Sequence, residues 1–155
     1  MKASSQETIL LVQVLATVMM TGIIWFVQIA HYPLFSKIPS QGFVSYELAN
    51  TTATGWVVGP IMLLEIGTAF LLLILRCPVA FQPLYLTALG CLILIWLSTL
   101  LLQVPLHALL SIRHDSDAIR SLVNTNWIRT ILWTIRLCLL ARILIDGSFL
   151  PGAKP

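Results

Sequence analysis

This sequence predicts an all-α, membrane-embedded four-helix bundle, and three observations predict it. Of its 155 residues, 58% are hydrophobic and only 10% are charged, with a mean hydropathy of +0.93. That is more apolar surface than one water-soluble core could hide. Charge is absent from residues 8–36 and 77–112, and residues 48–75 carry only Glu65; about 20 such residues suffice to span a bilayer. Unpaired backbone groups are not tolerated in hydrocarbon, so each stretch must be helical.

In chain order, the first helix lies near residues 9–31; its apolar run is too long for a signal peptide and lacks a small-residue cleavage site, so it reads as a retained anchor. Pro33, Pro39 and Gly42 mark an irregular connection over residues 36–53, long enough to fold over the mouth of the bundle as a lid and carrying Glu47. The second helix lies near residues 54–75, with Pro60 able to rotate its start, and the third near 84–110. A solvated turn over residues 111–124 holds Arg113, His114, Asp115, Asp117 and Arg120. Asp115 or Asp117 caps the fourth helix or a short helix before it, and His114 is expected at the surface. The fourth helix lies near residues 125–145 and carries Arg129, Arg136 and Arg142.

Several function classes drop out. A net charge of +3, scattered along the chain, gives no footprint for nucleic acid. Cys77, Cys91 and Cys138 form no CxxC pair and read as buried, inert thiols. P-loop, GxSxG, HExxH and GxGxxG motifs are all missing, so nucleotide hydrolysis and triad chemistry lack support. A slight excess of Lys2, Arg76, Arg142 and Lys154 over Lys37, Arg113 and Arg120 favours a cytoplasmic N-terminus.

The two halves share an order of landmarks. Gln28, His31, Thr54-Gly55-Trp56 and Glu65 in the first are matched by Gln103, His107, Thr125-Asn126-Trp127 and Arg136 in the second. Two parallel, repeated helical hairpins would produce this order, with a site where the halves meet. Glu65 and Arg136 each lie about 13 Å beyond their tryptophans at 1.5 Å per residue, which brings both toward the midplane. At 100° per residue, Ile24, Gln28 and His31 share one stripe, as do Trp96, Leu100, Gln103 and His107. Asn126, Arg129, Trp133 and Arg136 fall within about 80° of one another. Trp56 and Trp127 point away from Glu65 and Arg136 and read as interfacial belt residues.

Ionised groups in a bilayer usually face the bundle interior and pair. Glu65 with Arg136 is the natural pair, either a structural salt bridge that fixes register or a substrate or proton site at Glu65. Arg129 lacks an obvious acidic partner; it either grips an oxyanion through its planar fork or snorkels to lipid headgroups. His31 and His107, each with a glutamine about one turn deeper, invite a shared polar site at one membrane edge. Neutral imidazoles suit haem or a metal, but equally a cofactor-free acid–base role. The literal triad of His31, His107 and Glu65 is disfavoured, because Glu65 lies over about 10 Å deeper by helical rise.

The strings Trp25-Phe26-Val27-Gln28-Ile29-Ala30-His31-Tyr32-Pro33-Leu34-Phe35, Gln103-Val104-Pro105-Leu106-His107 and Asn126-Trp127-Ile128-Arg129-Thr130 resemble a group of small bacterial four-helix membrane proteins. That group is itself similar to the membrane family containing fungal anthrone oxygenases. The resemblance implies residence in a bacterial inner membrane and oxidation of an aromatic or lipophilic small molecule in a membrane pocket. On that reading His31, His107 and Glu65 are the catalytic candidates, and Gln28, Gln103, Arg129 and Arg136 bind substrate or cofactor. The competing class is a non-catalytic membrane module in which the same residues hold helices together or bind haem, a metal or a lipid headgroup. Self-association is open in either case.

Overall fold

The computed structural model describes residues 3–76 and 78–145. Lys2 and Lys154, which bear on orientation, and the Cys77 thiol lie outside the described residues.

Helix α1 runs as α-helix over Ala3–Phe26, passes through a π-helical turn at Val27–His31, and ends in Tyr32–Leu34 and a 3-10 turn at Phe35–Lys37. Helix α2 spans Ser40–Ile74, and a short 3-10 turn at Pro78–Phe81 leads into α3. That helix repeats the plan of α1: Pro83–Ser98 is α-helical, Thr99–Gln103 is a π turn, and Val104–Leu110 is α-helical again. Helix α4 spans Ser116–Ile145.

The twin π turns have one sequence cause. Pro33 and Pro105 each sit two residues past the turn and have no N–H for the carbonyl four residues back. The preceding residue reaches one step further instead, Tyr32 N–H to Val27 O and Val104 N–H to Thr99 O. Each bulge adds a residue to the helix and rotates everything beyond it by about 100°. Tyr32 is therefore buried while His31 is only half-buried, and Leu100, expected on the inward stripe, faces out. Aligning the two prolines pairs His31 with Gln103 in the repeat, not with His107.

The expected lid over residues 36–53 is instead mostly helix. The backbone breaks at Gln41 and Gly42, where φ reaches +94°, a conformation that costs a glycine little, and is helical from there on. Asn50-Thr51-Thr52 reads as loop by composition. In the helix, however, the Thr51 and Thr52 hydroxyls donate to the Glu47 and Leu48 carbonyls at 2.9 and 2.8 Å, so these side chains do not disrupt the ladder.

Helix α4 likewise begins well before the expected residue 125, because Asp115 caps it. The Asp115 carboxylate accepts from the N–H groups of Asp117 and Ala118 at 3.1 and 3.0 Å. The Ala118 N–H above all, helped by Arg113 at 3.0 Å, holds this carboxyl below the ordinary carboxylate range. A depressed folded value means that the cap stabilises the fold above the unfolded value, about 3.9, and that this contribution is lost as pH falls through the lower folded value. Asp115→Ala should lower the melting temperature in detergent at pH 7, and the gap to wild type should close on acidification below about pH 4. A gap independent of pH would remove the cap. His114, expected at the surface, is half-buried with its ring edge-on to Phe43 at 4.8 Å.

Helices α1 and α4 pack together centrally; α2 lies on α1 and α3 on α4, while α2 meets α3 through the Val104–Leu110 segment. One apolar cluster fills the mouth half around Tyr32, Phe35, Phe43 and Leu122, another the far end around Leu10, Leu72, Tyr85 and Leu140. Three helices among the described residues are long and apolar enough to cross a membrane, Ser5–Lys37, Ser40–Ile74 and Pro83–Leu110. Helix α4, the fourth span expected from the sequence, is long enough, but its arginines and Asp117 make it too polar by composition. Its Arg129 and Arg136 turn inward, and Ile128, Ile131, Ile135 and Leu144 form an apolar outer face. Trp56, 79% exposed, and Trp127, edge-on to Trp25 at 5.8 Å, sit on the outside. Cys91 is buried; Cys138, contrary to expectation, is exposed.

Candidate functional site

Two polar layers cross the bundle, and each takes residues from all four helices. The deeper one centres on Glu65 and Arg136, both essentially inaccessible at 0% and 1% exposure. Arg136 Nε donates to Glu65 Oε1 at 3.3 Å and Nη1 to the Ala88 carbonyl at 2.6 Å. The Glu65 carboxylate also accepts from the Thr17 hydroxyl at 2.6 Å and the Trp133 N–H at 3.1 Å. Arg136 Nη2 has no hydrogen-bond partner among the described residues. These residues form a closed layer between the two apolar clusters, and none of them lines the cavity at the mouth.

The mouth layer is a single hydrogen-bonded chain. Glu47, fully buried on α2, accepts from His107 Nδ1 at 2.5 Å. His107 Nε2 lies 2.9 Å from the Tyr32 hydroxyl, and Arg129 Nη2 donates to that same hydroxyl oxygen at 3.2 Å. Arg129 Nε and Nη2 donate to Asn126 Oδ1, whose Nδ2 donates to Gln28 Oε1 at 2.8 Å, and Gln28 Nε2 donates to the Val123 carbonyl. On the other side of Glu47, Asn50 Nδ2 donates to Oε2 at 3.2 Å, and Asn50 Oδ1 lies 2.8 Å from His31 Nε2.

One self-consistent set of donor and acceptor roles, with both histidines neutral, satisfies this wiring. The carboxylate only accepts, so His107 carries its hydrogen on Nδ1 and its Nε2 accepts from Tyr32. Asn50 donates to Glu47 through its NH₂, so its oxygen faces His31, which then carries hydrogen on Nε2. A buried guanidinium and a buried carboxylate thus flank the phenol–imidazole pair. Moving the phenol proton to His107 would put the new anion beside Arg129 and the new cation beside Glu47, so both fixed charges favour the transfer.

A cavity of about 450 Å³ opens beside this chain, lined by Tyr32, Asn50, His107 and Arg129 at its polar end and by Gly55, Val58, Gly59, Thr99 and Val104 along its body. That volume is within the range of small-molecule sites. A Cβ built on Gly55 or Gly59 would meet nothing within 4 Å, so both glycines border open space.

His31 and His107 lie in one network at one end, as the matched segments suggest, but they do not share a ligand position. His107 uses both ring nitrogens on Glu47 and Tyr32, and His31 reaches Glu47 only through Asn50. Among the described residues no three His, Cys, Asp or Glu side chains come together as a metal site. Arg129 is buried, not snorkelled. Gln28 anchors Asn126, and Gln103 lines the cavity while donating to the Thr125 hydroxyl at 3.2 Å. Glu65 and Arg136 pair with each other outside this site. Reasoning from sequence missed Tyr32, Asn50 and the role of Glu47. The available signals were Pro33 and Pro105 near the ends of the first and third helices, which imply a local register shift, and the Glu47–Asn50 spacing of one helical turn. No protein-family model, curated protein or solved structure matches this chain.

Proposed function

We propose that this small helical membrane protein is an enzyme that takes a lipophilic, weakly acidic small molecule from the bilayer and removes a proton from it in the cavity between α2 and α3. The observation that carries the reading is the charge-flanked Glu47–His107–Tyr32–Arg129 chain, whose His107, Tyr32 and Arg129 line that cavity. Tyr32, with its proton passed to His107, is the base. Arg129 stabilises first the phenolate and then, through the hydrogens it does not use in the chain, the oxygen of the substrate on which negative charge collects. A purely structural network would not need to border a cavity of this size.

The resemblance in the helix-end strings makes anthrone, a tricyclic ketone with an acidic methylene, the probe. Deprotonation gives its enolate, which dioxygen oxidises: one oxygen atom replaces the two methylene hydrogens to give the quinone, and the other leaves with those hydrogens as water. Purified protein in detergent should accelerate dioxygen uptake with anthrone over the protein-free rate. Tyr32→Phe should reduce that acceleration by about 10²–10⁴-fold, the usual worth of general acid–base catalysis, without loss of cooperative unfolding.

Occupancy of the cavity gives an independent check. Gly55→Leu or Gly59→Leu places a side chain in open space, so the fold should hold or gain slightly, since glycine inside a helix costs about 0.5–1 kcal/mol relative to alanine. Anthrone turnover should nevertheless fall with a raised KM. Unchanged kinetics in both variants would place the reaction elsewhere, and wild-type uptake equal to the protein-free rate would remove the oxygenase form of the proposal.

A further inference from the structure

His31 is not among the residues lining the cavity, yet it is the far end of the chain that sets up the proposed base. Its ring is held by aromatic neighbours, stacked with Phe26 at 6.2 Å and edge-on to Phe35 at 5.2 Å, so the direction of its Nε2 is fixed by packing. That nitrogen points at Asn50 Oδ1 at 2.8 Å, and the Thr54 hydroxyl donates to the same oxygen at 3.2 Å. With His31 in its Nε2–H form, both neighbours donate to one side of the amide, and its NH₂ faces Glu47 Oε2 at 3.2 Å. Glu47 Oε1 is then free for His107 Nδ1.

An amide has one accepting and one donating end, so a flip of Asn50 would set its NH₂ against the His31 N–H and its oxygen against the carboxylate. The oxygen would repel the carboxylate, and the NH₂ would be accepted only if His31 moved its hydrogen to Nδ1. We propose that His31 is a positioning residue: acting through Asn50, it holds the Glu47 carboxylate in the orientation that fixes His107 as the Nδ1–H tautomer, and hence leaves Nε2 to receive the Tyr32 proton. The proposal deepens the acid–base reading and rests on it for its catalytic consequence. The coupling itself is a matter of hydrogen-bond direction and can be read without turnover.

The experiment is nitrogen NMR on protein carrying ¹⁵N-histidine in detergent micelles. Wild type should show His107 as a single Nδ1–H tautomer. His31→Phe keeps the aromatic packing but removes the donor, and it should turn that signal into a tautomer mixture. His31→Gln, which returns an N–H at the position of Nε2, should restore the single tautomer. Asn50→Leu should reproduce the loss seen in His31→Phe, and combining the two should add nothing further, as expected of residues acting in series. Asn50→Leu also carries the test should His31→Phe fail to fold.

A single Nδ1–H tautomer retained in both His31→Phe and Asn50→Leu overturns the coupling. The two proposals fail separately. Tautomer mixing without any anthrone oxidation in wild type would keep the positioning role and discard the reaction, whereas Tyr32-dependent oxidation with an unmoved tautomer would do the reverse.

Discussion

Glu65→Leu is expected to be among the most destabilising single substitutions in this protein, costing roughly 3–5 kcal/mol, the usual penalty for stranding one charge of a buried pair. Removing the carboxylate leaves Arg136 with one hydrogen bond, to the Ala88 carbonyl, while Nη2 already has no partner among the described residues. Arg136→Leu strands less. Glu65 would retain the Thr17 hydroxyl and the Trp133 N–H and could relieve the remaining cost by taking a proton. The order of stability should therefore be wild type, then Arg136→Leu, then Glu65→Leu.

The double variant should recover much of the loss, because no formal charge is then left in the layer. Recovery should still be incomplete, since Trp133 Nε1 would be buried without an acceptor; adding Trp133→Phe should restore part of the remainder. Denaturant or thermal unfolding in one detergent measures all four. If the double variant loses as much as the two singles added together, the charges are not coupled and the layer is not the ion pair its 3.3 Å contact indicates.

That pair was legible from the sequence for a simple reason: each partner is the only charge at its depth, and hydrocarbon leaves a lone charge few options. The inward face of α4 was legible too. Asn126, Arg129, Trp133 and Arg136 keep the 100° rule because nothing interrupts that helix, and all four are buried. In α1 and α3 the same rule went astray at the prolines. A bulge adds a residue whose effect on register depends on where the helix absorbs it, so Tyr32 fell off the inward stripe and Leu100 onto it.

Glu47 and Asn50 were obscured by composition. Prolines and glycine upstream, with a run of Asn and Thr downstream, describe a loop until the hydroxyls find acceptors one turn back along a helix. The carboxylate that orients His107 therefore stayed hidden although both histidines on either side of it were visible.

Glu47→Gln should cost activity as heavily as removing the Tyr32 hydroxyl, because the substitution is almost isosteric and yet cannot satisfy its neighbours. Glu47 accepts on both oxygens, from His107 and from Asn50. A glutamine accepts on one side only. If its oxygen faces His107, its NH₂ confronts the Asn50 NH₂, and Asn50 must flip against the donors of His31 and Thr54. If its NH₂ faces His107, the ring must move its hydrogen to Nε2 and can no longer receive the Tyr32 proton. Either way the negative charge that stabilises a cationic His107 is gone. The expected result is a loss of about 10²–10⁴-fold in kcat for anthrone with KM little changed, a destabilisation of about 1.5–3 kcal/mol for the lost charge-assisted hydrogen bond, and a shifted His107 tautomer in the ¹⁵N spectrum. Glu47→Asp, which keeps two accepting oxygens on a shorter stem, should retain more activity than Glu47→Gln. Equal rates in wild type and Glu47→Gln would mean that the carboxylate serves helix packing alone, and that the proton chemistry assigned to Tyr32 does not pass through His107.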